Sequence, residues 1–269
     1  VGESRESVLG VDPWSRAIGS VGTGTLAMLD GRYEEARVEL SAGLDGFRAI
    51  GERWGMILAL SSLVEVAYRV GDPSAATAPM AEALRLAGEL GSALDTAELL
   101  RARAEGRLGA GDLTGAEDDY RRVVEVAQPA GAPELVAAAH LGLGEIARRR
   151  GDLEDARRLC EQALAECPTG WFGAEMVRLG ALVTLGHVHA AAGEPAAARA
   201  LFVEVLGATA GIWDLPTLAA AVEGLVGPVL RRGEEERAAL LLGAVAAVQR
   251  DGAPDAASQA PAHAATRER

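Results

Sequence analysis

The sequence contains no lysine and no asparagine, and all 26 of its basic residues are arginine. Without lysine there is no Walker-A phosphate loop, which requires G-x-x-x-x-G-K-[ST]. A lysine Schiff base, as used with pyridoxal phosphate or in aldolase-type chemistry, is excluded on the same ground. Aromatic residues are only 4% of the 269, whereas 49% are apolar and much of that share is alanine. Such a composition favours closely packed helices over a bulky aromatic core. The longest uncharged run, Leu179 to Gly193, is 15 residues and includes two histidines. A bilayer span takes about 20 apolar residues, so no membrane segment is expected. The N-terminus opens Val-Gly-Glu-Ser-Arg-Glu, with no initiator methionine and no apolar signal-peptide stretch. The chain therefore reads as an excised part of a longer protein. Cys160 and Cys167 are the only cysteines, seven residues apart. On one helix that is about 10 Å of rise, too far for a disulfide, so reduced thiols and a cytoplasmic setting are expected.

The formal net charge is −13 and the pI about 4.8. No arginine cluster outweighs its acidic neighbours, so direct nucleic-acid binding by this region and attraction to an anionic membrane are both disfavoured. The usual catalytic signatures are missing too. There is no G-x-S-x-G, H-E-x-x-H, C-x-x-C or Rossmann glycine set, and Gly22-Thr-Gly24 falls inside a predicted helix. The expectation is a non-enzymatic protein with no cofactor, no metal and no catalytic residues.

What is present is a repeat. Glycine, usually an acidic residue, three variable residues and alanine recur at Gly31–Ala36, Gly71–Ala76, Gly111–Ala116, Gly151–Ala156, Gly193–Ala198 and Gly233–Ala238. The glycines are 40, 40, 40, 42 and 40 residues apart. Glycine suits the left-handed turn after a helix, and the acid that follows can cap the next helix. Pro73 and Pro195 suit that helix's first turn, and the alanine lets two helices approach closely. Nine residues after each glycine stand Leu40, Met80, Tyr120, Cys160, Phe202 and Leu242, all suited to burial. Seven before it stand mostly small residues, Gly24, Gly144 and Gly186 among them. Apolar positions at helical spacing with a fixed period define an α-solenoid. First helices are predicted near 15–30, 54–70, 93–109, 134–150, 174–192 and 215–232. Second helices are predicted near 33–50, 74–90, 114–128, 154–166, 196–209 and 235–249. Residues 1–12 are an irregular segment, 13–250 one elongated domain, and 251–269 an Ala/Pro-rich tail expected to lack order.

Small residue, Leu-Gly, Gly-Asp and Ala at these offsets resemble the tetratricopeptide (TPR) repeat, with a longer period than the usual 34. The resemblance implies about six antiparallel pairs in a right-handed superhelix. Gly51-Glu-Arg-Trp-Gly-Met-Ile-Leu-Ala-Leu and Ala220-Ala-Val-Glu-Gly-Leu-Val-Gly, followed by Glu236-Arg-Ala-Ala-Leu-Leu-Leu-Gly, are similar to stretches in the C-terminal regions of bacterial regulators. These are the SARP/BTAD-type and the large ATP-binding LuxR-type transcriptional regulators. The resemblance implies a sensor and scaffold whose DNA-binding and nucleotide-binding modules lie outside this sequence. A free-standing TPR adaptor and a helical-repeat receptor for a small molecule or peptide are the alternatives.

A solenoid binds through its concave face. If first helices line that face, the position six before each glycine points inward. It holds Thr25, Glu65, Glu105, Glu145, His187 and Gly227. Glu65, Glu105 and Glu145 form a ladder one repeat apart, with Arg69, Arg101 and Arg149 four residues from them. One reading is a groove for a basic or mixed-charge peptide; the other is i,i±4 pairing on a solvated face. His187 and Glu223 complete the candidate groove from the fifth and sixth pairs. A protein or peptide partner is expected there, and self-association stays open. The carboxylate-clamp mode of TPR co-chaperones is excluded, because it grips a peptide terminus with lysine and asparagine. His140 and His189 fall at positions that pack between helices, and His263 lies in the tail. Trp14, Trp54, Trp171 and Trp213 stand near the starts of first helices, as repeat packing or as aromatic anchors at a groove rim.

Overall fold

The computed structural model describes residues 12–167, 172–209 and 215–252. Every regular element among them is a helix, and twelve succeed one another: α1 (Pro13–Leu29), α2 (Tyr33–Ile50), α3 (Arg53–Arg69), α4 (Thr77–Leu90), α5 (Ala93–Gly109), α6 (Leu113–Ala127), α7 (Pro133–Arg150), α8 (Leu153–Glu166), α9 (Phe172–Ala191), α10 (Pro195–Thr209), α11 (Leu215–Leu230) and α12 (Glu235–Gly252). The architecture is a TPR-like α-solenoid. All twelve predicted helices are there, most within two residues of the expected ends. The two largest differences are three residues each: α12 runs on to Gly252 and not to 249, and α4 begins at Thr77 and not near 74. Three successive i→i+3 bonds, from Ala75 to Asp72, Ala76 to Pro73 and Thr77 to Ser74, tighten the chain into a 3₁₀-like turn first. The tail beyond Gly252, Trp171 and Trp213 lie outside the described residues.

The turns explain the period. Gly31, Gly71, Gly111, Gly151, Gly193 and Gly233 all have positive φ, between 74° and 86°. Gly51, Gly91 and Gly131 do too, and they fall halfway between. The repeat alignment used only the first set; the second ends the second helix of each of the first three pairs, α2, α4 and α6. After each of these glycines the next amide donates to a carbonyl five residues back, as in Arg32 to Ala27 and Glu52 to Phe47. That is the Schellman closure, and it needs the left-handed residue that glycine supplies. Side chains cap four of the helices: Ser15 N–H donates to Asp12 ahead of α1, Gly55 N–H to Glu52 ahead of α3, Asp95 N–H to Ser92 ahead of α5 and Gly115 N–H to Asp112 ahead of α6, whereas Arg32 ahead of α2 and Ala76 ahead of α4 make no such bond. Each cap contributes on the order of 1 kcal/mol.

The described residues fall into two compact units, one of residues 12–146 with 165–167 and the other of 147–164 with 172–209 and 215–252. In the first unit each helix from α1 to α6 packs on its sequence neighbours, and α1 also touches α3. The alanines five after the repeat glycines, Ala36, Ala76, Ala116, Ala156, Ala198 and Ala238, are all buried. The ninth positions are buried from Leu40 to Phe202, but Leu242 is 50% exposed. This corrects the expectation for the sixth pair. α12 packs on α11, and that contact does not cover Leu242.

Few aromatics does not mean none in the core. Phe47 and Phe202 are fully buried and Tyr120 nearly so. Each occupies the space opposite a glycine. A Cβ added at Gly55 would meet the Phe47 ring, one at Gly142 the Tyr120 ring, and one at Gly186 or Gly224 the Phe202 ring, all within 2.2–2.6 Å. Missing side chains on one helix therefore make room for large ones on the next.

Candidate functional site

Within the first unit, α3 and α5 border a cleft of about 850 Å³, reached also by Met80 of α4 and by Pro73. First helices thus do face it. Ile57, Val64, Tyr68, Met80, Leu99 and Ala102 supply its apolar wall. Glu65, Asp95, Glu98 and Glu105 bring four carboxylates against a single guanidinium, that of Arg101.

The charged groups are organised in pairs. Arg69 donates to Glu65 Oε1 from Nε at 2.9 Å and from Nη2 at 2.8 Å. Arg101 donates to Glu98 at 3.0 Å and also to Glu105. Burial works against the Arg101 charge, but the carboxylates of Glu105 and Glu98 outweigh it and raise its pKa further above the ordinary arginine value. Glu65 and Glu105 are exposed. Glu65–Arg69 and Arg101–Glu105 are thus the i,i+4 pairs of a solvated face, and Glu65, Arg101 and Glu105 also line the cleft.

Tyr68 joins the cleft to the layer beneath it. Its ring packs against Gly106. Burial pushes its phenol above the ordinary value, and the charges of Arg107 and Arg103 pull partly the other way. Those two arginines extend from α5 to Asp119 on α6, at 2.6 Å from Arg103 Nη2 and 2.8 Å from Arg107 Nη1. Asp119 is only 4% exposed. A buried carboxylate held by two guanidinium groups compensates its lost hydration with charge-assisted bonds. Sequence reasoning passed over Asp119, Tyr68, Asp95 and Glu98. The available signal was that Asp119 stands beside core residue Tyr120, where the next repeats carry Leu159 and Leu201.

The remaining candidates sit elsewhere. Glu145 is half-buried on α7, and Arg149 is exposed near the end of that helix. His187 is half-buried on α9, its ring edge-on to Phe202 at 5.1 Å between centroids. Glu223 is exposed on α11. The cleft of the first unit brings together Glu65, Arg101 and Glu105 of the predicted set. His140 is 8% exposed, with Nδ1 2.6 Å from Glu166 Oε2. His189 pairs with Glu194 across the Gly193 turn. Trp14 and Trp54 are 42% and 49% exposed, more than repeat packing implies, and Trp14 meets Phe47 edge-on. Neither cysteine is in a disulfide, and Cys160 lies in the core. Among the described residues no group of three or more His, Cys, Asp or Glu is placed to hold a metal ion. Among them, too, no helix is long and apolar enough to cross a membrane.

Comparison with known proteins adds three solved structures with the same fold. One is a Signal Transduction ATPase with Numerous Domains (STAND) protein with a tetratricopeptide repeat sensor from Pyrococcus horikoshii, at TM-score 0.66 and 15% identity. The match covers 92% of this chain and 38% of that one. Another is the Rap protein complexed with Competence and Sporulation Factor, at TM-score 0.63 and 13% identity, covering 93% and 79%. The third is NprR in complex with its cognate peptide NprX, at TM-score 0.63 and 15% identity, covering 89% and 68%. At these identities the likeness establishes the fold alone. No curated protein sequence matches. The sequence model of the MalT-like TPR region, however, matches residues 51–210. That span is more than half of the chain, so this protein belongs to the MalT-like TPR region family.

Proposed function

We propose that this chain is the sensor and scaffold part of a bacterial LuxR-type transcriptional regulator. It works without catalysis in the cytoplasm, and its partner is a protein or peptide held in the groove of the first helices. The family match over residues 51–210 carries this reading. The presence of a TPR sensor in a STAND ATPase, of Competence and Sporulation Factor in the Rap complex and of a cognate peptide in the NprR complex supports it by analogy of fold. Glu65, Arg101 and Glu105 are the proposed contacts in the first unit, with Glu145, Arg149, His187 and Glu223 as further groove positions. Sequencing the gene that encodes the chain tests the regulator assignment. A nucleotide-binding and a DNA-binding module in the same open reading frame supports it; a frame lacking both overturns it in favour of a free-standing adaptor.

A small-molecule receptor is the second reading. It draws on the cleft volume of about 850 Å³, which falls within the range of roughly 300–1,000 Å³ typical of ligand pockets. A compound that binds only the folded state raises the melting temperature, so a thermal-shift screen discriminates the two.

A further inference from the structure

The α3–α5 cleft presents two different chemistries side by side. Ile57, Tyr68, Met80 and Leu99 offer apolar surface, and Glu65, Asp95, Glu98 and Glu105 offer carboxylates. α5 carries three arginines, yet only Arg101 lines the cleft. Arg103 and Arg107 are engaged by Asp119 on the α6 side. Arg101 itself is already held by Glu98 and Glu105, and Glu65 is balanced only from outside the lining, by Arg69. The surplus in the cleft is negative, and among the described residues Asp95 is the lining carboxylate that forms no ion pair.

From this charge balance we infer that the cleft selects a peptide segment carrying arginine or lysine next to a large apolar side chain. Cationic side chains lie against Glu65 towards one end of the cleft and against Asp95 towards the other, and the apolar side chain lies against Tyr68, Met80 and Leu99. A purely polar peptide gains neither contact, and an acidic one meets like-charge repulsion. The inference rests on the peptide-binding reading above and sharpens it to one cleft and one ligand class.

The test selects octapeptides from a random bead-bound library with the full 269-residue chain, then measures the selected peptides by calorimetry. The expected result is enrichment of peptides that combine Arg or Lys with Leu, Ile, Phe or Met. Glu65→Gln with Asp95→Asn then weakens the selected peptide by roughly threefold or more, the scale of one or two partly exposed ion pairs. The charge-matched control Glu34→Gln with Glu89→Gln, outside the cleft, leaves the affinity unchanged. Ser61→Trp, which fills the cleft from α3, abolishes binding of every selected peptide. Enrichment of neutral or acidic peptides overturns this inference while leaving peptide binding intact. So does a cationic selection that Glu65→Gln with Asp95→Asn does not affect, because the site is then elsewhere. Enrichment of no peptide at all overturns the peptide-binding reading and the inference with it.

Discussion

Tyr68 on α3 occupies the space in which a side chain on Gly106 of α5 would begin: a Cβ at Gly106 falls 2.3 Å from Tyr68 Cζ. This contact joins two first helices along the wall of the cleft. Gly106→Ala therefore sets two effects against each other. Alanine improves helix propensity by about 1 kcal/mol, but displacing a packed ring costs about 1–3 kcal/mol. We expect net destabilisation in urea titrations, largely relieved by adding Tyr68→Leu. Gly88 on α4 provides the contrast, since nothing lies within 4 Å of its added Cβ. Gly88→Ala is expected to stabilise by about 0.5–1 kcal/mol.

The left-handed glycines behave differently, because their constraint is conformational and not steric. Gly51 and Gly111 have φ of 69° and 84° and open space around an added Cβ. Alanine at either position is expected to cost about 1–2 kcal/mol, the penalty of a left-handed conformation for an L-residue. A chemical denaturation series showing no loss at either site would refute this account of the turns.

Asp119→Ala removes the only described partner shared by Arg103 and Arg107. Breaking a buried ion pair costs about 3–5 kcal/mol. The arginine side chains are 29% and 38% exposed, so the low end, near 3 kcal/mol, applies. The urea midpoint measures it. A loss of a few tenths of a kcal/mol would show that solvent already satisfies both guanidinium groups.

In the second unit, Arg178 bridges Glu175 at 2.7 Å and Glu204 at 3.0 Å. The hydrogen bond from Arg178 holds the Glu175 carboxyl below its ordinary 4.5, against the opposing effect of burial. The sign follows from linkage. A depressed carboxylate contributes stability that is present above the unfolded value of 4.5 and is lost as pH falls through the lower folded value. Glu175→Gln should therefore lower stability at neutral pH and make a smaller difference at pH 3. Equal losses at both pH values would show that the substitution acts through packing.

The period, the helix pairs and the buried alanines were legible because each depends on residues close in sequence. Glycine marks a turn through its own backbone, and Ala116 or Val123 is small or apolar for a reason visible in its spacing. The halfway glycines, Gly51, Gly91 and Gly131, were missed because no fixed alanine follows them to strengthen the pattern. The shortened start of α4 was hidden because Pro73 fits a 3₁₀ turn as readily as a helix start. Glu65 and Glu105 could be placed on one ladder by register. Their cleft could not be read, because its charge balance depends on Asp119 engaging Arg103 and Arg107 from another helix. Leu242 shows the converse: its repeat position suits burial, but position alone does not supply a neighbour.

The turns also set how the protein responds to force. Between Gly31 and Gly71, as between Gly71 and Gly111, lies one 40-residue stretch whose helices pack chiefly on sequence neighbours. Pulled by its ends, the first unit should yield in steps, each freeing one such stretch and lengthening the tether by at most roughly 130–140 Å. Regular glycine punctuation makes the unit a graded spring that extends in equal increments.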